Sequence, residues 1–165
     1  MLKYFVKAKE GSLQEPGGYM SDVCINVNIE MDQLGNVGIW PTYQTAEAAA
    51  ADVAVPMPVV IPPHETVKVD LLLSFGIEEG LQIMMFPRSS LLVKKGIMQP
   101  VSIIDSDYTG HVHVPLHNLT DKPIYLDKGE RVAQIQVMPV YNCTSFQRLN
   151  KERGQEGFGT TGEKA

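Results

Sequence analysis

Between positions 22 and 32 the chain reads DVCINVNIEMD, and Val23, Ile25, Val27, Ile29 and Met31 alternate with Cys24, Asn26, Asn28 and Glu30. That period of two marks a half-buried strand. LGNVG follows as a turn and VGIWPTY returns, so residues 22–43 are expected to form an antiparallel hairpin carrying Trp40, the single tryptophan. Short runs rich in Val and Ile, broken by Gly, Pro, Asn and Asp, predict further strands in TVKVDLLLSFGI, LQIMMFP, VSIIDSD, HVHVPLHNL, KPIYLDKG and RVAQIQVMPVY. Eleven prolines spread among these runs suit edges and corners better than helices. The fold class inferred is all-β, a sandwich or jelly roll. One segment departs from it: TAEAAAADVAV (45–55) has high helix propensity with Thr45 as a possible N-cap, and local preference predicts a turn or two of helix there. After Tyr141 apolar periodicity ends, and the polar, glycine-rich remainder reads as a flexible arm. The expected division is therefore a domain over residues 1–142 and an arm over 143–165.

Composition narrows the function. With 165 residues and 44% hydrophobic positions, one core is expected. No long uncharged apolar run is present, and charges occupy the N-terminal stretch MLKYFVKAKEGS, so a soluble, cytoplasmic protein without membrane contact is expected. Cys24 and Cys143 lack metal or redox spacing and read as reduced thiols. A net charge of −5 without a basic cluster argues against binding polymeric nucleic acid. Any anionic ligand is then small and met by a few placed groups. His111 and His113 share a strand face, but His64 and His117 lie elsewhere in sequence, so exposed strand histidines are expected in preference to zinc ligands.

The stretch GFGTTG (157–162) has G-x-G-x-x-G spacing. A dinucleotide-binding turn needs a strand before it and a helix after it, and neither is predicted here. Arg153, the hydroxyls of Thr160 and Thr161 and the peptide N–H groups freed by glycines such as Gly159 suit a phosphate, and Phe158 offers a face to a nucleobase. On residues alone this is either a bland tail or a lid over a nucleoside triphosphate.

Five blocks in order then carry a resemblance. ERGQEGFGTTG (152–162) resembles the C-terminal motif of the trimeric dUTP pyrophosphatases, or dUTPases. PRSSL (87–91) resembles their second motif, SIIDSDYTG (102–110) the third, KGERVAQ (128–134) the fourth, and AAAADVAV (48–55) followed by IPPHE a degraded first. Residues 2–18 are expected to match the family's opening strand. The resemblance implies a jelly-roll homotrimer with active sites between subunits, each closed by a C-terminal arm. It also implies hydrolysis of dUTP to dUMP and pyrophosphate with Mg2+, which limits dUTP and supplies dUMP for thymidylate synthesis.

By that resemblance Asp105 activates the attacking water. Tyr108 lies under the deoxyribose and excludes a 2′-hydroxyl, and the segment Gln99 to Ile103, with Ser102, reads uracil. Arg88, Ser89, Ser90 and Gln134 bind phosphates, and Asp52 reaches the metal through water. From the arm, Arg153, Gly159, Thr160 and Thr161 clamp the terminal phosphates while Phe158 stacks on the base. Read without the family, DSD is a turn, Tyr108 a core residue, the two serines a strand-end turn and Gln134 an exposed strand position. The family usually has Gly where Ser102 stands, so either the backbone suits a side chain there or uracil sits differently.

Two alternatives stay open. A dCTP deaminase shares the fold but needs a glutamate at the position of Pro115, and proline cannot transfer a proton. A binding or regulatory protein of this fold is suggested by the extra hairpin at about 19–46, where Trp40 and Tyr43 offer an aromatic anchor for a partner.

Overall fold

The computed structural model describes residues 25–142, 144–146 and 155. The expected opening strand at 2–18 and both cysteines lie outside the described residues, as do Arg153, Phe158, Gly159, Thr160 and Thr161. Among the described residues no helix is long and apolar enough to cross a membrane.

Among the described residues all strand pairing is antiparallel, and the largest sheet has four strands. β2 (Ala51–Ala54) lies beside β11 (Arg131–Pro139), then come β6 (Leu81–Phe86) and β8 (Ser102–Ile104). A second sheet orders β4 (Thr66–Asp70), β9 (His113–Asn118) and β7 (Ile97–Met98). Two ribbons complete the fold: β1 (Asn26–Ile29) with β5 (Leu73–Gly76), and β3 (Val59–Ile61) with β10 (Ile124–Leu126). Alternating residues such as Ile83 and Met85 of β6, and Val114 and Leu116 of β9, turn inward to one core with Val53, Ile61, Leu73, Leu126 and Val132. The all-β expectation holds, and most of the predicted runs form strands within their expected bounds.

Three local expectations are corrected. The Ala-rich segment forms no helix: Thr45 to Ala48 make a turn, and residues 51–54 are a strand with all four side chains buried. Pairing of β2 with the central strand β11 outweighs a helix preference of a few tenths of a kcal/mol per residue, roughly. The run TVKVDLLLSFGI is two strands broken at Leu72, which takes a left-handed φ of 53° with its N–H donated to Asp70 Oδ1. The hairpin is real but short. Asp32 and Gly38 donate their N–H groups to Asn36 and Glu30, and Met31 bridges Val37. The main partner of β1, however, is β5, and beyond the turn Thr42 pairs with Asp52.

Gly38 shows how the hairpin is seated. A Cβ there would lie 2.2 Å from the carbonyl oxygen of Leu72, so only glycine allows this approach. Leu72 in turn accepts the N–H of Glu30 at 3.0 Å. The hairpin is thereby pinned to the break between β4 and β5.

A short helix absent from the expectation, α1 (Ser89–Lys95), follows β6. Gly96 ends it in a left-handed conformation and returns its N–H to Leu91 and Leu92, with Lys94 and Lys95 in the last turn.

Candidate active site

The four-stranded sheet aligns three of the five sequence blocks in one row. In the register of β11, Gln134 stands opposite Asp52 on one side and Phe86 on the other. Gln134 Nε2 donates to the carbonyl of Pro87 at 3.1 Å, and Arg88 follows directly. Asp52, nearly buried, is held from two sides: Arg88 Nε lies 2.9 Å from Oδ1, and Arg131 Nη1 lies 2.9 Å from Oδ2. Arg88 Nη1 also donates to the Arg131 carbonyl at 2.9 Å. A register shift between Arg131 and Ala133 turns the start of β11 toward the pair.

One carboxylate faces two guanidiniums, so the cluster carries an excess positive charge. Each guanidinium has five N–H donors, more than the contacts with Asp52 and the Arg131 carbonyl use. Ser89, exposed, and Ser90, half-buried, open α1 beside this cluster. Arg131 belongs to the fourth block, and the resemblance assigns it no role. An arginine three residues before Gln134 was the available signal.

The third block lies elsewhere on the same sheet. β8 pairs with β6 through Ser102 opposite Met85 and Ile104 opposite Ile83. Asp105 is the next residue, roughly 13 Å along the strand direction from the row that contains Phe86, Gln134 and Asp52. It is half-buried, and its carbonyl accepts the N–H of Tyr108 at 3.1 Å to close a turn. Tyr108 packs against the core and donates its hydroxyl to the His111 carbonyl at 2.7 Å. Partial burial, then the charge of Asp70, raises its pKa.

Ser102 sits in regular strand with no left-handed φ, so the backbone there does not require glycine. Gln99 is buried, with 4% of its surface exposed. Its amide nitrogen donates to the Pro100 carbonyl, while Oε1 is buried with no hydrogen-bond partner among the described residues. Such an orphan costs about 1–3 kcal/mol unless a ligand or a neighbouring chain meets it. Met98, Val101 and Ile103 beside it are exposed apolar residues. The one described residue within the arm motif, Gln155, places its carbonyl oxygen 2.9 Å from where a Cβ on Gly110 would stand, next to the Tyr108 turn.

A family model for dUTPase matches residues 37–162. The chain belongs to the dUTPase family. It is 38% identical over 130 residues to a deoxyuridine 5′-triphosphate nucleotidohydrolase of Hydrogenobaculum, covering 75% of this chain and 90% of that one. To the enzyme of the same name from Nautilia profundicola it is 34% identical over 142 residues, covering 83% and 100%. Among solved structures, the Staphylococcus bacteriophage 80alpha dUTPase with dUPNHPP shares the fold at a TM-score of 0.66 and 20% identity, covering 84% of this chain and 98% of that one. A mutant dUTPase of S. aureus phage phi11, described for its coordination of a structural Mg(II) ion, aligns at a TM-score of 0.67 and 15% identity, covering 78% and 98%.

Two features of this dUTPase-family chain differ from expectation or extend it. His111 and His113 are not free strand histidines. His111 Nδ1 lies 2.9 Å from Asp70 Oδ2 and Nε2 lies 2.8 Å from Glu30 Oε2, while His113 Nδ1 meets the His111 carbonyl at 2.8 Å. Both are half-buried, and Glu30 of the hairpin reaches the His111 ring. Partial burial disfavours a charged His111, but the hydrogen bonds to Asp70 and Glu30, with their negative charges, outweigh it and raise its pKa. Burial lowers that of His113. The other feature is Pro115, which lies within β9 opposite Lys68, leaving no proton-transfer group at the position a deaminase needs.

Proposed function

We propose that this chain hydrolyses dUTP to dUMP and pyrophosphate at sites completed between the subunits of a homotrimer. The observation that carries this reading is the partition of the candidate residues. Asp52, Arg88 and Gln134 cluster at the Phe86 row of the sheet, with Ser102 one residue along β8 from that row, while Asp105 and Tyr108 follow the far end of β8. In the trimer that the resemblance implies, a second copy brings the Asp105 half of one chain to the Arg88 half of another on one nucleotide. The exposed Met98, Val101 and Ile103 and the orphan Gln99 oxygen support a neighbouring surface there.

In this reading Asp105 takes a proton from a water that attacks the α-phosphorus. The bond from that phosphorus to the bridging oxygen breaks, and pyrophosphate leaves. Tyr108, tethered through its hydroxyl, presents a fixed ring to the deoxyribose and excludes a 2′-hydroxyl. The Gln99–Ile103 backbone reads uracil, and close walls exclude a 5-methyl group. Arg88, Ser89, Ser90 and Gln134 bind phosphate oxygens, and the arm closes with Arg153, Gly159, Thr160 and Thr161 on the phosphates and Phe158 on the base.

Among the described residues no group of three or more His, Cys, Asp or Glu side chains is set for a metal. The two guanidiniums fit the anionic triphosphate; Mg2+ would arrive on it with phosphate oxygens and waters as most of its ligands, and Asp52, whose oxygens meet Arg88 and Arg131, would reach it through water. When bound, the ion supplies charge neutralisation and electrophilicity at phosphorus.

Pyrophosphate release from dUTP, dTTP, UTP and dCTP, with and without Mg2+, tests the reading. Turnover confined to dUTP and dependent on Mg2+ is expected, and comparable turnover of dTTP or UTP contradicts the base and sugar assignments. The exposed Met31, Leu34, Trp40 and Tyr43 of the hairpin support a compatible second role in docking a protein partner. A chain that only bound partners would lose nothing on replacement of Asp105.

A further inference from the structure

We propose that His111 is a positioning residue for the sugar end of the site: as an imidazolium bridging Asp70 and Glu30, it fixes the Tyr108 turn and couples sugar selection to the hairpin. This rests on the assignment of Tyr108 to the deoxyribose given above.

The geometry is a chain of contacts from the hairpin to the turn. Glu30 follows β1 and lies before the segment that the family model matches. Its Oε2 lies 2.8 Å from His111 Nε2, and its Oε1 accepts from Ser74 Oγ at 3.3 Å, which itself accepts from Asn28 Nδ2 at 3.2 Å. On the other side of the ring, Asp70 Oδ2 lies 2.9 Å from Nδ1, while Asp70 Oδ1 accepts the N–H of Leu72. Carboxylates only accept, so both ring nitrogens must donate, and only the imidazolium has two N–H groups. The backbone carbonyl of the same residue accepts the Tyr108 hydroxyl at 2.7 Å and faces His113 Nδ1 at 2.8 Å. Holding the His111 ring therefore holds the oxygen to which Tyr108 is tied.

The groups around this ring define what its charge does. Asp70 from β4 and Glu30 from the hairpin face it directly. His113 from β9 stands 3.8 Å from Asp70 Oδ2, and Lys68 and His111 itself disfavour a charge on His113. A neutral His111 keeps one of the two carboxylates and releases the other. Loss of Glu30 frees the hairpin from the ring, and loss of Asp70 frees the β4 end.

The test is the ratio of kcat/KM for dUTP to kcat/KM for UTP, measured from about pH 5.5 to 9 in the wild-type chain, His111→Gln and Glu30→Gln. A purely structural role lowers melting temperature and leaves this ratio unchanged. The expected result is a wild-type preference that is highest on the acid side and falls as His111 deprotonates. In both variants it should start roughly tenfold lower and show no such step. Glu30→Gln, at a half-exposed position, carries the test if His111→Gln fails to fold. An unchanged ratio and an unchanged pH profile in Glu30→Gln overturn the proposal. Asp105→Asn, assayed alongside, separates the two levels: full turnover there defeats the catalytic reading, whereas lost turnover there with an unchanged sugar ratio in Glu30→Gln defeats only this inference.

Discussion

The carboxylate of Asp52 meets the guanidinium of Arg88 at 2.9 Å, and Arg131 holds its other oxygen at the same distance. Replacing Asp52 by Asn leaves two guanidiniums facing each other without a counter-charge at a nearly buried position. Because Arg131 is partly exposed, the cost is below that of a fully buried pair, about 1–3 kcal/mol. Denaturant unfolding should give a loss of that order for Asp52→Asn, with a further loss of turnover because Arg88 no longer has a fixed direction.

The two half-buried histidines give stability opposite pH dependences. The folded pKa of His111 is raised, because its hydrogen bonds to Asp70 and Glu30 outweigh burial. Its contribution is complete below the ordinary histidine value and disappears as pH rises through the raised one. The folded pKa of His113 is lowered by burial. Its contribution is complete above the ordinary value and disappears as pH falls through the lowered one. Together they should place a stability maximum near pH 6.5, about the ordinary value. Thermal unfolding against pH checks this: His111→Gln should flatten the alkaline limb and His113→Gln the acid limb.

Gly38→Ala should undock the hairpin, since the added carbon meets the Leu72 carbonyl at 2.2 Å. Forced repacking of this kind costs about 1–3 kcal/mol. Hydrogen exchange at the amides of Glu30 and Gly38, which donate to Leu72 and Glu30, should accelerate in the variant while amides of β11 stay protected.

Ser102→Gly restores the usual family residue but should gain nothing. Ser102 lies in regular strand without a left-handed φ, so glycine there only adds freedom to the unfolded chain, at a cost of about 0.5–1 kcal/mol. Discrimination between dUTP and dTTP should be unchanged. A clear gain in selectivity would mean that the hydroxymethyl group displaces uracil.

Strands such as β6 and β9 were legible as short apolar runs bounded by turn residues, and each buries one face. The strand β2 was not, because all four of its residues are buried and its alanines carry helix preference; only the pairing with β11 reveals it. Helix α1 was equally hidden. It is short, and Leu92 and Val93 are exposed while Leu91 alone is buried, so no amphipathic period exists to read. Motif order nominated Asp52, Arg88, Gln134, Asp105 and Tyr108 as candidates. It did not indicate that Asp52 and Arg88 are each other's partners, that Arg131 completes the group, or that His111 joins Asp70 to Glu30. Those contacts link distant parts of the sequence, and local pattern carries no information about them.

Mixing two inactive chains tests the division of the site most directly. Asp105→Asn keeps the Arg88 half intact, and Arg88→Gln keeps the Asp105 half intact while retaining a donor toward Asp52. Each alone should lose turnover by roughly 10²-fold or more. Unfolded together in equal amounts and refolded, they should recover about a quarter of wild-type turnover, because random assortment in a closed trimer gives that share of sites one intact half from each chain. No recovery from a mixture shown to contain mixed trimers would contradict a site shared between subunits.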